Sequence, residues 1–195
     1  MARIVQFLDQ PTRYGLVSRI LHWGMALLFT WQFASMAVKL IVGRHPVTAF
    51  MVGSHAGIGT ILFALILLRG AWGLFNLRRR PRQQRGLVGR AAHLGHLALY
   101  ALMFIVPSLA LLRQFGSGRP FSPFGMPLMS ASERVDSLMA PANAAHGLLA
   151  WTLLALVAGH VAMVLVHQFI WRDGLWARMG WGRRAAALPK TAGQR

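Results

Sequence analysis

Eight histidines occur in this 195-residue chain. All but His45 fall within or at the edge of a long apolar stretch: His22, His55, His93, His96, His146, His160 and His167. An imidazole binds a metal through one ring nitrogen, or takes up and releases a proton near neutral pH. Placing such a group in hydrocarbon is costly, so its presence there points to function. One histidine of this kind is as readily a hydrogen-bonded packing residue; so many, spread over every apolar stretch with almost no acids to pair with, are not.

The sharpest spacing lies in the last stretch. His146 and His160 are 14 residues apart, which on a helix of 100° and 1.5 Å per residue is roughly 40° of rotation and ~21 Å of rise. They share a face and stand at two depths of a bilayer, the arrangement that would ligate two stacked b-type haems. His167, seven residues on, continues that face ~10 Å further, too near His160 for a third haem and well placed beside the edge of the inner one.

The elements that must position these rings are four apolar stretches, 16–42, 47–75, 88–112 and 144–170, each long enough for a hydrocarbon core of ~30 Å. Isolated spans in lipid are helical, because lipid offers no partner to backbone polar groups. The expected fold is all-α, an integral-membrane four-helix bundle forming a single membrane domain over 1–195, with both termini on one side. Of the 21 basic residues, only Lys39, Arg44, Arg113, Arg119 and Arg134 fall in the first and third loops. Most of the others lie in the terminal segments and in the second loop, with Arg78, Arg79, Arg80, Arg82 and Arg85. Positive charge stays inside, so both termini are expected to be cytoplasmic. The polar, proline-rich segment 114–141 is expected to cap the outer face as ordered chain or a short helix. Gly53 and Gly57 form a G-x-x-x-G, and Gly95 and Gly147 also lie in or near spans, where small residues admit a helix or a flat cofactor.

Depth then suggests partners. His55 enters span two from outside and can face His146. His22 enters span one from inside and can face His160, although His96 or His167 could replace a member of that inner pair. His93 and His96 lie near the inner surface, and His45 sits in an outer loop with a solvated role. Bare zinc or copper wants three or four ligands at one point, whereas separated pairs are the pattern of bis-imidazole haem. Arg19, Arg90 or Arg134 could meet haem propionates, though the charge bias of cytoplasmic ends explains the first two equally well. Trp31, Trp151, Trp171 and Trp176 are interfacial or haem-contacting.

Composition agrees with this class. The chain is 55% hydrophobic and 13% charged, with a formal net charge of +17. Its basic residues flank apolar runs instead of forming a stripe, which argues against nucleic acid and for a lipid bilayer. Cysteine is absent, which excludes disulfides, iron–sulfur clusters and covalent haem attachment. The first nine residues lack a short apolar run before a small-residue cleavage site, so an uncleaved chain is expected.

The segments Ser18-Arg-Ile-Leu-His22-Trp23, Ser54-His55-Ala-Gly57, Ala92-His93-Leu-Gly-His96-Leu97 and Glu133-Arg-Val-Asp136-Ser-Leu138, with His146, His160 and His167, resemble the bacterial cytochrome b561 family, and within it the superoxide-oxidising membrane enzymes. The resemblance runs from Arg13 to Met179. It implies a four-helix di-haem cytochrome acting on ubiquinone, with His55 and His146 on the outer haem, His22 and His160 on the inner one, and His96 and His167 flanking ubiquinone. The implied activity is that of a superoxide:ubiquinone oxidoreductase. Superoxide would be oxidised to oxygen at the periplasmic face, two electrons and two protons would make quinol near the cytoplasm, and the outer cations would steer the anion in. The outer loops depart from the family pattern and leave the electron donor open. The alternative is a quinol-linked di-haem subunit serving a periplasmic redox partner. A histidine-lined metal or proton transporter is a third reading, for which acids are scarce.

Overall fold

The computed structural model describes residues 6–81 and 86–180. Arg82 and Arg85 of the basic loop, and the basic residues of the C-terminal tail beyond Gly180, lie outside the described residues. Helices α1 (Leu16–Val42), α2 (Pro46–Gly53), α3 (His55–Phe75), α4 (Leu87–Gly116) and α5 (Asp136–Leu165) carry the fold, with a short α6 (Trp176–Met179). A π-helical turn, Val166–Trp171, continues α5. By length and hydropathy they make four membrane-crossing units: Leu16–Val42, Pro46–Phe75, Leu87–Gly116 and Asp136–Trp171. Their outer surfaces carry exposed apolar side chains, such as Leu27, Ile41, Leu74, Leu148 and Ile170, as lipid-facing helices must.

The connections follow from local chemistry. Gly43 takes a positive φ of 70° and its N–H returns to the Lys39 carbonyl, ending α1. His45 then caps α2 by accepting from the Val47 N–H, with Pro46 at the first helical position. Two ends differ from the sequence expectation. The third span runs on past Leu112 to Gly116, and the fourth begins at Asp136 instead of Ala144. Pro141 near the start of α5 gives up one backbone bond without ending the helix, so a stretch that reads as polar loop is helical. The outer segment that remains is ordered: Phe121 pairs with Met129, Pro123–Gly125 forms a 3-10 turn, and Val135 N–H donates to Gly116 O at 2.8 Å.

In the bundle α1 packs on α3, α3 on α4, and α4 most extensively on α5, while α1 and α5 make little direct backbone contact. The buried core of Met25, Leu62 and Ile66, ringed by Phe29, Ile58 and Met103, lies between the depth of His55 and that of His22. At the opposite end from the outer segment, the chain around Tyr14 and the start of α1 meet α6. Tyr14 N–H donates to Arg178 O at 3.0 Å, and Trp23 Nε1–H to Met179 O at 3.1 Å. Asp9 anchors this end. Its carboxylate, 2% exposed as a residue, accepts from Gly15 N–H at 2.9 Å and Ser18 Oγ–H at 2.6 Å, and Arg80 Nε stands 3.5 Å from its other oxygen.

Candidate functional site

At the outer level, His55 at the start of α3 and His146 in α5 line one cavity of about 320 Å³. That is the lower range of small-molecule and cofactor pockets. Its walls are mostly apolar, including Phe29, Phe33, Leu62, Met103, Val106 and Trp151; Lys39, Gln32 and Gln114 supply the polar part. Each imidazole has its Nδ1 engaged. His146 Nδ1–H donates to the Val106 carbonyl at 3.1 Å, beside the interruption made by Pro107. His55 Nδ1 faces Ser35 Oγ at 3.5 Å, and that hydroxyl donates to Gln32 O at 2.7 Å. A ligating histidine needs this arrangement, one nitrogen fixed by a neighbour so that Nε2 is the donor. Gln32 Nε2–H donates to the His55 carbonyl at 2.9 Å, and its Oε1 is buried without a hydrogen-bond partner. Gly147 lines the same wall, with open space where a Cβ would stand.

At the inner level, His160 of α5 is approached by two rings. His22 of α1 lies 6.4 Å away and His96 of α4 5.3 Å away, centroid to centroid. Two imidazoles each bonded to one iron at about 2 Å set their centroids roughly 6 Å apart. The His22–His160 separation fits that span and the His96–His160 separation falls short of it. His96 is exposed, and its Nδ1–H donates to Ala92 O at 2.6 Å. His93 is exposed on α4 and makes no ring contact with the cluster.

His167 occupies a third position. It is 8% exposed, its Nδ1 is 2.6 Å from Asp173 Oδ2, and the Trp171 ring packs edge-on at 4.5 Å. Two departures from helical regularity build this contact: the π turn Val166–Trp171, and Arg172 in the left-handed region at φ 50°. Together they fold the chain back so that Asp173 meets His167.

The donor set suits b-type haem: imidazoles gathered at two levels, apolar walls around the outer pair, and no cysteine in the chain. Among the described residues, no three His, Asp or Glu side chains converge as a bare metal ion requires. The tryptophans divide by role. Trp151 lines the outer cavity, Trp171 packs on His167, Trp176 on Trp23 and Trp31 on Phe50. The cations first considered for propionates are engaged elsewhere in two cases: Arg134 with Asp136 at 2.8 Å, Arg19 with Gly180 O at 3.3 Å. Residues that spacing alone did not single out are Ser35, Gln32, Asp173, Arg69 and Tyr100. Arg69 Nε–H donates to Tyr100 Oη at 3.1 Å, and Tyr100 stands one turn after His96 on α4. Outside the spans, burial pushes the Tyr14 phenol above its ordinary range, so it stays protonated at neutral pH.

The family model described as prokaryotic cytochrome b561 matches residues 13–182. Cytochrome b561 homolog 2 of Escherichia coli (strain K12) is 30% identical over 182 residues, covering 90% of this chain and 95% of that protein.

Proposed function

The chain belongs to the prokaryotic cytochrome b561 family, and on that premise we propose that it oxidises superoxide at one face of the inner membrane and reduces ubiquinone at the other. It is a multi-pass membrane electron-transfer protein of a haem b family. His55 and His146 hold the outer haem; His22 and His160 hold the inner one. Haem iron at these two levels supplies the one-electron relay between the faces.

The observation that supports this reading is the gathering of imidazoles at two levels, His55 and His146 on one cavity and, at the other, His160 with His22 at 6.4 Å and His96 at 5.3 Å. Each superoxide loses one electron to leave as oxygen; two electrons and two cytoplasmic protons convert quinone to quinol. The chain's own residues do the rest. Val106 O and Ser35 Oγ orient the outer imidazoles. Lys39, on the cavity wall, and Arg44, Arg113, Arg119 and Arg134 on the same outer side draw a small anion in. The apolar core of Met25, Leu62 and Ile66 keeps water from crossing between the levels. His96 and His167 flank ubiquinone, His167 held by Asp173 and thus connected to the aqueous edge. Both termini lie on the cytoplasmic side.

Stopped-flow mixing of superoxide with the purified, haem-loaded protein and a ubiquinone analogue tests this. Superoxide loss faster than spontaneous dismutation, matched by quinol formation, is expected; a rate equal to dismutation ends the proposal. A second reading, a quinol-linked subunit serving a periplasmic redox partner, is favoured by the outer turn, where Phe124, Met126 and Leu128 are all exposed. Haem reduction by quinol without any response to superoxide, with a redox protein co-purifying, selects it.

A further inference from the structure

We infer that Arg69, held by Tyr100, pairs with a propionate of the inner haem and raises the reduction potential of that haem; this rests on the di-haem assignment above. Arg69 is 14 residues beyond His55 on α3, as His160 is 14 beyond His146 on α5. The same rise of ~21 Å and offset of roughly 40° therefore put Arg69 at the inner level, on the face that His55 presents to the outer site. α3 carries an imidazole at one level and a guanidinium at the other.

The surroundings of that guanidinium are incomplete for a cation in hydrocarbon. Nε–H donates to Tyr100 Oη at 3.1 Å, and the guanidinium carbon stands 5.9 Å from the Tyr100 ring centroid. Among the described residues no carboxylate pairs with Arg69, and no hydrogen bond engages its terminal nitrogens. Charges at this depth occur with an opposite charge or a polar path. Tyr100 lies four residues after His96, one turn along α4, so it braces the arginine from the helix wall beside the histidine cluster. With Nε–H on Tyr100, the terminal Nη1/Nη2 edge of the planar guanidinium is left to match a carboxylate, and the b-type macrocycle expected here carries two.

The electrostatic consequence has a fixed sign. Reduction adds one negative charge at the iron, and a nearby fixed cation favours that state. Arg69 is a positioning residue with an electrostatic effect; it takes no part in bond making.

Spectroelectrochemical titration of detergent-purified holoprotein tests this in wild type, Arg69→Gln, Arg69→Lys and Tyr100→Phe. Arg69→Gln should lower the inner-haem potential while leaving the outer one unchanged. The expected size is about tenfold in the reduction equilibrium, ~59 mV for one electron. Arg69→Lys should retain most of the wild-type value, and Tyr100→Phe should fall between. If Arg69→Gln sheds the inner haem while Arg69→Lys keeps it, the cation is again required. Potentials and haem content unchanged in Arg69→Gln overturn the inference, as does an equal change in the Gln and Lys variants, which would mean shape and not charge. Wild-type protein that binds no haem defeats the di-haem assignment instead, so the two failures are distinct.

Discussion

His146 donates from Nδ1 to the carbonyl oxygen of Val106, 3.1 Å away on the neighbouring helix. The carbonyl can only accept, so the proton is on Nδ1 and Nε2 is the nitrogen with a lone pair for iron. His55 is in the same condition across the cavity, with Ser35 Oγ as its partner. A buried imidazole needs an acceptor for its N–H whatever its role; here the acceptors lie on second elements. These two rings have one each, and they face the same chamber.

Ligand loss should therefore follow level. His55→Ala and His146→Ala are expected to remove the outer haem, His22→Ala and His160→Ala the inner one, each halving the haem-to-protein ratio by pyridine haemochrome assay. His96→Ala and His167→Ala should keep full haem and lose quinone reduction. Full haem in a His146→Ala or His160→Ala protein would break the assignment, and loss of the inner haem in His96→Ala with retention in His22→Ala would exchange those two roles.

Much of this arrangement was legible in the chain because membrane helices obey simple geometry. Length and hydropathy locate the spans, and the 14-residue step from His146 to His160 fixes two levels on one face. What was illegible depended on side chains meeting across elements. Ser35 and Val106 O are ordinary in sequence and matter only because α1 and α4 bring them to His55 and His146. The start of α5 at Asp136 is hidden in sequence because the polar, proline-rich segment up to Pro141 looks like loop, whereas a proline near the start of a long helix costs a single rung. Arg69 carried a readable signal, the same 14-residue step from His55, but a lone arginine in a span blends with the charge bias of the cytoplasmic end. Asp173 gave none: its meeting with His167 depends on a π turn and a left-handed Arg172.

The reaction with superoxide should weaken with salt. Lys39 lines the outer cavity with His55, and an anion drawn toward a cation at an opening is screened over about 10 Å at 0.1 M ionic strength. The bimolecular rate is expected to fall several-fold between roughly 20 and 200 mM salt, and Lys39→Gln should lower the low-salt rate and flatten the slope. A rate indifferent to salt in wild type would mean that no steering operates.

Asp173→Asn should separate the two half-reactions. The carboxylate oxygen 2.6 Å from His167 Nδ1 fixes that ring and links it to the protein edge, where the Asp173 side chain is 26% exposed. For a metal-bound histidine the loss of such an orienting partner costs about 10–100-fold, and the lower end of that range is expected for His167, which binds no iron in this assignment. Haem reduction on mixing with superoxide should stay at the wild-type rate, while reoxidation by ubiquinone slows by about tenfold. Equal slowing of both phases would point to general disruption, and no slowing would deny Asp173 any part in quinone chemistry.

Asp9 should hold together the end of the bundle opposite the outer segment. Its carboxylate accepts from Gly15 N–H and Ser18 Oγ–H, Ser18 Oγ in turn accepts from Trp72 Nε1–H at 3.0 Å, and Asn76 Oδ1 receives the Asp9 N–H at 3.4 Å. One buried acid thus ties the N-terminal segment to the start of α1 and the end of α3. Arg80 at 3.5 Å balances its charge without a hydrogen bond, so most of the contribution comes from the donors it satisfies. Asp9→Ala strands both donors and the arginine, a loss of about 3 kcal/mol. Asp9→Asn keeps an acceptor for Gly15 and Ser18 and should lose less. The two should therefore rank wild type, Asn, Ala in thermal midpoint in detergent, with the outer haem retained in all three because His55 and His146 lie at the far end of the bundle. An alanine variant that melts with the wild type would show that the contacts of Arg13, Tyr14 and Trp23 with α6 and Gly180 suffice to hold this end of the bundle.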